Sequence, residues 1–376
     1  MVKAFFKRLM YWLIRLTPKM DYCYMKGMPS FDDSLVAVYN QLPMDRFSKV
    51  IWSTYEVNDS PPFLARGKTV FVKKGSAIDF FYGVFSKTIF TTHGHFIPEI
   101  PPNQNCVNVW HGMPFKAIGS FDGQPGRKDT FVCSTSPLYQ SVLSEAFGVS
   151  KDRVLVSGLP RNDLMMSEDP ASIWQKSGID RAKYDKVFFW LPTFRKSVLG
   201  FLTEDGIECD NLFNMVDFPT GDFDSFLKDE KCLCIIKPHP MAPKKQANSS
   251  DNILIIDEKW LWERKLTLYT LIGQVDFLVS DISSVMIDFM LLDRPMIVCF
   301  EDSDQYKKSR NVIFDPLEDW LPGKIVDNYD DLKKSIRDCV SGGDPMKEKR
   351  EGLKKKFHEH TDFKSTERLL SHVFPR

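Results

Sequence analysis

Short apolar runs closed by polar turns recur along most of the chain. The clearest unit spans 275–300. Residues 275–280 are a compact apolar run, the pattern of a buried strand. Asp281, Ile282, Ser283 and Ser284 follow, and 285–292 carry the apolar repeat of a helix. Asp293, Arg294 and Pro295 end that helix, and 296–300 form a second apolar run. Strand, helix and strand in this order build a parallel sheet. Asp281, Ser283 and Ser284 fall at the predicted helix start, where the first backbone N–H groups lack partners and the dipole end is positive. An anion can sit there. A serine that only caps the helix is the plainer alternative.

The same pattern extends in both directions. Strands are expected at 35–39, 49–53, 69–72, 88–92, 105–110, 131–136 and 153–157, with helices at 77–85 and 137–147. Residues 164–184 read as a connection between halves. The second half predicts strands at 186–191, 233–236 and 253–257 and a helix at 266–272. Residues 345–371 read as one highly charged surface helix. Alternation of this kind predicts an α/β protein with parallel sheets flanked by helices. The N-terminus differs. Phe5, Phe6, Leu9, Met10, Trp12, Leu13, Ile14 and Leu16 interleave with Lys3, Lys7, Arg8, Arg15 and Lys19. A helix here is apolar on one side and basic on the other, which suits an interface beside anionic lipid and equally a helix docked on the protein's own core. The apolar run is broken by charge and lacks a small-residue cleavage site, unlike a secretory signal.

Composition narrows the picture. The 376 residues are 43% hydrophobic and 27% charged, the profile of a soluble globular protein long enough for two domains. Fifty Lys and Arg balance fifty Asp and Glu, so no global field draws in nucleic acid. The eight cysteines are scattered without a CxxC pair, and several lie inside apolar runs. They read as reduced, buried thiols of a cytoplasmic protein and not as a disulfide framework or zinc site. No apolar run reaches the length of a membrane-spanning helix.

Candidate chemistry sits where the predicted strands end. Asn105 to Trp110 leads into His111, Gly112, Met113 and Pro114, and a residue just past a parallel strand lies at the ligand-binding edge of an open sheet. A lone His is more often a core residue bonded to a neighbour. Arg161 follows Gly158, Leu159 and Pro160 on a polar turn. Thr193 and Arg195 follow 186–191 and offer a hydroxyl and a guanidinium suited to phosphate oxygens, although a surface salt bridge accounts for Arg195 as well. Lys237 and His239 alternate with Pro238 and Pro240 after 233–236. Ser283 and Ser284 complete a donor-rich set that suits a ligand with two phosphates. His111 and His239 are far apart in sequence and lack a carboxylate cluster, which argues against a metal site. No G-x-G-x-x-G or Walker loop supports a dehydrogenase or NTPase.

Taken in order, Trp110-His111-Gly112-Met113-Pro114-Phe115-Lys116, Gly158-Leu159-Pro160-Arg161-Asn162-Asp163, Pro192-Thr193-Phe194-Arg195, Lys237-Pro238-His239-Pro240 and Ser280 to Phe289 closely resemble the CDP-glycerol glycerophosphotransferase family, the teichoic-acid primases and polymerases and their capsule-synthesis relatives. Asp293-Arg294-Pro295 and Pro322-Gly323 extend the likeness over roughly residues 65–335. Met113 stands where the family commonly has Thr, and Leu159 where Tyr is common.

The resemblance implies a GT-B-type α/β architecture, with two Rossmann-like domains facing across a cleft. Its expected parts are an amphipathic, membrane-associating helix (1–20), an acceptor-side domain (21–170), a CDP-donor-binding domain (171–345) and a C-terminal helix (346–376). It implies transfer of glycerol phosphate from CDP-glycerol to a hydroxyl of a lipid-linked saccharide or glycerol-phosphate polymer, with release of CMP and no cofactor or essential metal. His111 is then the base that takes the acceptor's proton. His239 and Arg195 hold the donor phosphates with Lys237, and Ser283 and Ser284 bind the pyrophosphate. Asp281, Asp288, Arg161, Thr193 and Arg310 support them, with Asp288 one turn beyond Ser284 and able to hold that hydroxyl or a basic neighbour. The expected location is the cytoplasmic side of the plasma membrane, bound peripherally to an anionic surface. A donor such as CDP-ribitol, or a non-catalytic scaffold in a polymer-synthesis complex, are the alternatives.

Overall fold

The computed structural model describes residues 2–58, 60–193, 213, 215, 218–239, 248–300 and 312–375. It divides into two compact units, the first of residues 1–113, 118–167 and 357–376, the second of 114–117 and 168–356.

The first unit opens with helix α1 (Val2–Leu16) and is built on a parallel sheet of seven strands. These are β1 (Met20–Lys26), β2 (Lys49–Thr54), β3 (Thr69–Lys73), β4 (Ser86–Thr91), β5 (Asn105–Asn108), β6 (Phe131–Ser134) and β7 (Val154–Val156), in the order β3-β2-β1-β4-β5-β6-β7. Helices α2 (Asp33–Gln41), α3 (Ala77–Phe85) and α4 (Pro137–Phe147) cover it. The central strand β1 is the one that the hydrophobic pattern does not announce. Only Cys23, Tyr24 and Met25 of it are fully buried, flanked by exposed Met20 and Asp21, so its run is too short to stand out.

Residues 35–39 are helical, contrary to the strand that their apolar run suggests. Asp32 accepts a hydrogen bond from the Ser34 backbone N–H and caps α2. Leu35 to Tyr39 are all buried, and a helix segment buried all round shows no periodicity to distinguish it from a strand.

The second unit repeats the plan with six parallel strands: β8 (Lys186–Leu191), β9 (Cys232–Ile236), β10 (Ile253–Ile255), β11 (Phe277–Ser280), β12 (Met296–Cys299) and β13 (Lys324–Val326), in the order β10-β9-β8-β11-β12-β13. Helices α5 (Pro170–Ser177), α6 (Thr220–Asp229), α7 (Glu258–Glu263), α8 (Leu268–Ile272) and α9 (Val285–Phe289) are joined by Tyr329–Val340 and Lys347–Phe357. The expected helix at 285–292 is therefore α9 plus a 3₁₀ turn, Met290–Leu292, which ends at left-handed Asp293. Trp190 is the centre of an aromatic core with Phe213, Phe218 and Phe223.

In both sheets two strands step outward from the first, and the order then reverses. The first strand of each unit thus sits beside the fourth (β1 with β4, β8 with β11). That reversal leaves an open crevice at the carboxyl ends of the two strands, where ligands bind in open α/β sheets.

The C-terminal stretch holds two helices instead of the single one expected, because 358–364 interrupt it. The second, Ser365–Val373, packs in the first unit. Asp163 accepts from the backbone N–H groups of Ser365 at 2.9 Å and Thr366 at 2.7 Å, satisfying donors that a helix start leaves unpaired. Gly158 makes room for this contact, since a Cβ there would lie 2.3 Å from Ser365 Oγ. Phe374 then packs edge-on against Phe47. The Gly158-to-Asp163 motif is thus partly a clamp on the chain's last helix. Asp163→Ala should cost about 2 kcal/mol, read as a lower midpoint in denaturant unfolding, and an unchanged midpoint would show that the clamp carries no stability.

Candidate active site

In the first unit the site grows from the ends of β4 and β5. Asn108, the last residue of β5, accepts from the Trp110 N–H through Oδ1 at 3.0 Å and donates its amide to Asp129 Oδ2 at 2.9 Å. This brace holds Trp110 at φ 58°, a left-handed conformation that a bulky residue adopts only when its surroundings impose it. The turn delivers His111 to the sheet edge. Arg161 donates to the His111 carbonyl at 2.9 Å. His111 Nδ1 lies 3.2 Å from the Thr92 carbonyl. A carbonyl only accepts, so Nδ1 carries the hydrogen and Nε2 keeps its lone pair. The ring is thus held in the tautomer a base requires.

Burial pulls the His111 pKa down to about 4; the Thr92 carbonyl works against this and the Arg161 charge adds to it. A second imidazole, His93, lies flat on the first, with ring centroids 4.1 Å apart and planes 5° from parallel.

In the second unit three neighbouring strands, β9, β8 and β11, bring their carboxyl ends together. Thr193 follows β8, Lys237 and His239 follow β9, and Asp281, Ser283 and Ser284 follow β11. Asp281 spans the crevice between β8 and β11, where Oδ1 accepts from the Thr193 N–H at 3.0 Å and Oδ2 from its hydroxyl at 2.7 Å. Ser283 and Ser284 are partly exposed, and Ser284 makes no side-chain capping bond. Ser284 does not cap the helix, whereas Ser283 Oγ accepts from the Val285 N–H at 3.4 Å. Lys237 donates to Glu258 of α7 at 2.6 Å. His239 is pulled down to about 4 by burial and by the charges of Lys237 and Lys116, with Asp281 and Glu258 opposing. Asp288 accepts from the Tyr269 hydroxyl of α8 at 2.6 Å and so braces α9 against α8.

The predicted residues thus fall into two groups, His111 with Arg161 in the first unit and Thr193, Lys237, His239, Asp281, Ser283, Ser284 and Asp288 in the second. Arg195 and Arg310 lie outside the described residues. Sequence reasoning missed His93, Asn108, Asp129, Lys116 and Glu258. His93 carried a usable signal, because the apolar run 88–92 followed by His93 and Gly94 repeats the pattern of 105–110 followed by His111 and Gly112. Asn108 and Asp129 carried none, since their partners are set by strand pairing. Among the described residues no group of three or more His, Cys, Asp or Glu is placed to hold a metal ion.

Two Rossmann-like parallel-sheet domains with imidazole and hydroxyl groups at their carboxyl edges define a GT-B-like protein. The sequence matches the family described as CDP-glycerol:poly(glycerophosphate) glycerophosphotransferase over residues 16–375, and the chain belongs to it. It is 27% identical over 290 residues to the teichoic acid ribitol-phosphate polymerase TarK of Staphylococcus aureus, covering 73% of this chain and 53% of that protein. It is 26% identical to the teichoic acid glycerol-phosphate transferase of the same species, over 73% of this chain and 72% of that protein. It spans about half the length of the ribitol-phosphate polymerases it matches. The fold matches the solved structure of the wall teichoic acid polymerase TagF with a TM-score of 0.76 at 18% identity, covering 99% of this chain and 94% of that one.

The depressed histidines carry a stability signature. His111 and His239 both fall from the ordinary 6.5 to about 4, so folding favours their neutral forms. Their contribution is fully present above about pH 6.5 and is lost as pH falls towards 4. The melting temperature should therefore drop between pH 6.5 and 4.5, and less steeply in His111→Asn/His239→Asn. Parallel curves for the two proteins would refute the assignment.

Proposed function

We propose that the chain transfers glycerol phosphate from CDP-glycerol to a hydroxyl of a lipid-linked saccharide or a growing glycerol-phosphate polymer, releasing CMP. The observation that carries this reading is the meeting of three adjacent strand ends in the second unit, where an imidazole, an ammonium and two serine hydroxyls collect at the switch point. In this reading His239, Lys237, Ser283 and Ser284, with Arg195, hold the donor's two phosphates. His111 Nε2 accepts the proton of the acceptor hydroxyl. That oxygen bonds to the phosphorus bearing glycerol as the bond from phosphorus to the CMP oxygen breaks, and CMP leaves with the bonding pair. Fixed donors around the phosphates stabilise the departing charge.

The lowered pKa of both histidines suits this chemistry. Buried imidazoles near cations are neutral, and an arriving diphosphate raises their pKa towards neutrality, where proton transfer is most effective. No essential metal is invoked: among the described residues, the carboxylates that bear on His239 are engaged, Asp281 by Thr193 and Glu258 by Lys237. His111→Ala should lower CMP release by about a hundredfold or more while leaving the fold intact, and activity should survive a chelator. Full turnover by His111→Ala would remove this mechanism.

A second donor has specific support. The likeness to ribitol-phosphate polymerases favours CDP-ribitol. Mass analysis of products from each CDP-alditol, with lipid-linked disaccharide and with glycerol-phosphate oligomers, separates these donors. It also separates addition of one unit from extension. Binding without turnover of any acceptor would favour a scaffold.

We further propose peripheral attachment to an anionic membrane on the cytoplasmic side. Among the described residues no helix is long and apolar enough to cross a membrane. Helix α1 buries Met10 and Ile14 against Val84 and Ile97. Its other side exposes Leu9 (55%), Trp12 (43%), Leu13 (44%) and Leu16 (78%) beside exposed Lys7, Arg8 and Arg15. The patch continues onto α3 through exposed Phe81, which stacks on Phe85 at 4.4 Å. Apolar surface ringed by cations fits a headgroup layer. Leu9→Glu/Leu13→Glu spares Met10 and Ile14 and should release the protein from anionic vesicles in co-sedimentation. Undiminished binding would refute attachment through α1.

A further inference from the structure

We propose that His93 is a positioning residue for His111, a flat imidazole platform that keeps the base desolvated and in plane while it takes a proton. The role of His111 rests on the function proposed above; the stack itself does not.

The sheet order places His93 at the switch point. It follows β4, the strand paired with β1 where the order reverses. Its loop is held from four sides. The His93 N–H donates to Thr91 Oγ1 at 3.3 Å, and the Thr91 hydroxyl donates to the Gly94 carbonyl at 3.1 Å. The Met28 N–H donates to Thr92 Oγ1 at 3.2 Å, and that oxygen lies 2.8 Å from His93 Nδ1. Behind the loop, Arg127 donates to the His95 carbonyl at 3.2 Å and crosses the face of Gly94, where a Cβ would lie 1.7 Å from its guanidinium. Thr92 therefore serves both rings, its hydroxyl fixing His93 and its carbonyl fixing His111. The parallel stack follows from this shared residue.

Several charged groups bear on the pair. Arg161 faces His111 from the turn after β7, and Lys74 and Arg127 face His93 from beyond β3 and before β6. All are cations, so the pair does not hold two protons readily. His93 is held well below its ordinary value, by burial first and then by His111 itself. A proton on one ring therefore disfavours a proton on the other, and the stack holds one proton at most near neutral pH. One face of His111 is closed to water by the second ring, 4.1 Å away and 5° from parallel. Phe in place of His93 retains the platform and the desolvation; Ala removes both.

The test is an NMR pH titration of the His111 ring in the full-length protein, which needs no substrate, for wild type, His93→Phe and His93→Ala. His93→Ala should move the His111 pKa up by about one unit or more as water reaches the ring. His93→Phe should leave it near the wild-type value. In CMP-release assays the acidic limb of the pH profile should follow the same shifts, with His93→Ala lowering kcat about tenfold more than it alters the donor KM. An unchanged His111 titration in a folded His93→Ala protein overturns the proposal. So does a His93→Phe titration that moves as far as that of Ala. If the wild type releases no CMP from either CDP-alditol, the functional reading fails, and the titration still decides the platform.

Discussion

A parallel sheet whose strand order reverses beside its first strand cannot cover its own carboxyl edge there. The connections leave to opposite faces and a crevice stays open. Both units of this protein are built on that constraint, at β1 and β4 in one and β8 and β11 in the other. The candidate site residues at the strand ends lie on it or on the strand beside it. In the second unit Asp281 crosses the crevice to Thr193, fixing two strand ends relative to each other. The neighbouring β9 adds Lys237 and His239. In the first unit the reversal holds the Thr92–His93 turn, and the adjacent β5 supplies His111.

Rigid crevices alone do not prepare groups for reaction. Here the preparation is electrostatic. The imidazoles are half-buried beside cations, and Asp281 and Glu258 are bonded to Thr193 and Lys237, so neutral rings are favoured. Such an environment is costly to protonate, and in the proposed function the charge of a bound diphosphate reverses the balance. The backbone is shaped to the same end. Trp110 is held in a left-handed conformation by the Asn108 and Asp129 brace, and the strain is spent on aiming the residue that follows it.

Helix α1 shows how one sequence pattern can serve two surfaces. Its apolar residues exceed what a single face needs. Met10 and Ile14 take the contact with α3, and Leu9, Trp12, Leu13 and Leu16 remain outward among basic residues. One side of the element is thus docked, and the other is the exposed surface proposed to meet a membrane.

The primary sequence determined the alternation of strand and helix, the parallel class of the sheets and the identity of the strand-end motifs, because buried parallel strands must be short apolar runs and the residues after them must be polar. The family likeness was also legible in the ordered motifs from Trp110 to Phe289. The tertiary structure decided what period and composition leave degenerate. It made 35–39 a helix, inserted the weakly marked β1 at the centre of its sheet, and split 346–376 into two helices with the last one clamped by Asp163. It turned Asp288 to Tyr269 and paired Lys237 with Glu258. It laid His93 on His111. Each of these is a contact between segments far apart in sequence, set by strand order and packing, and no local pattern encodes a distant partner.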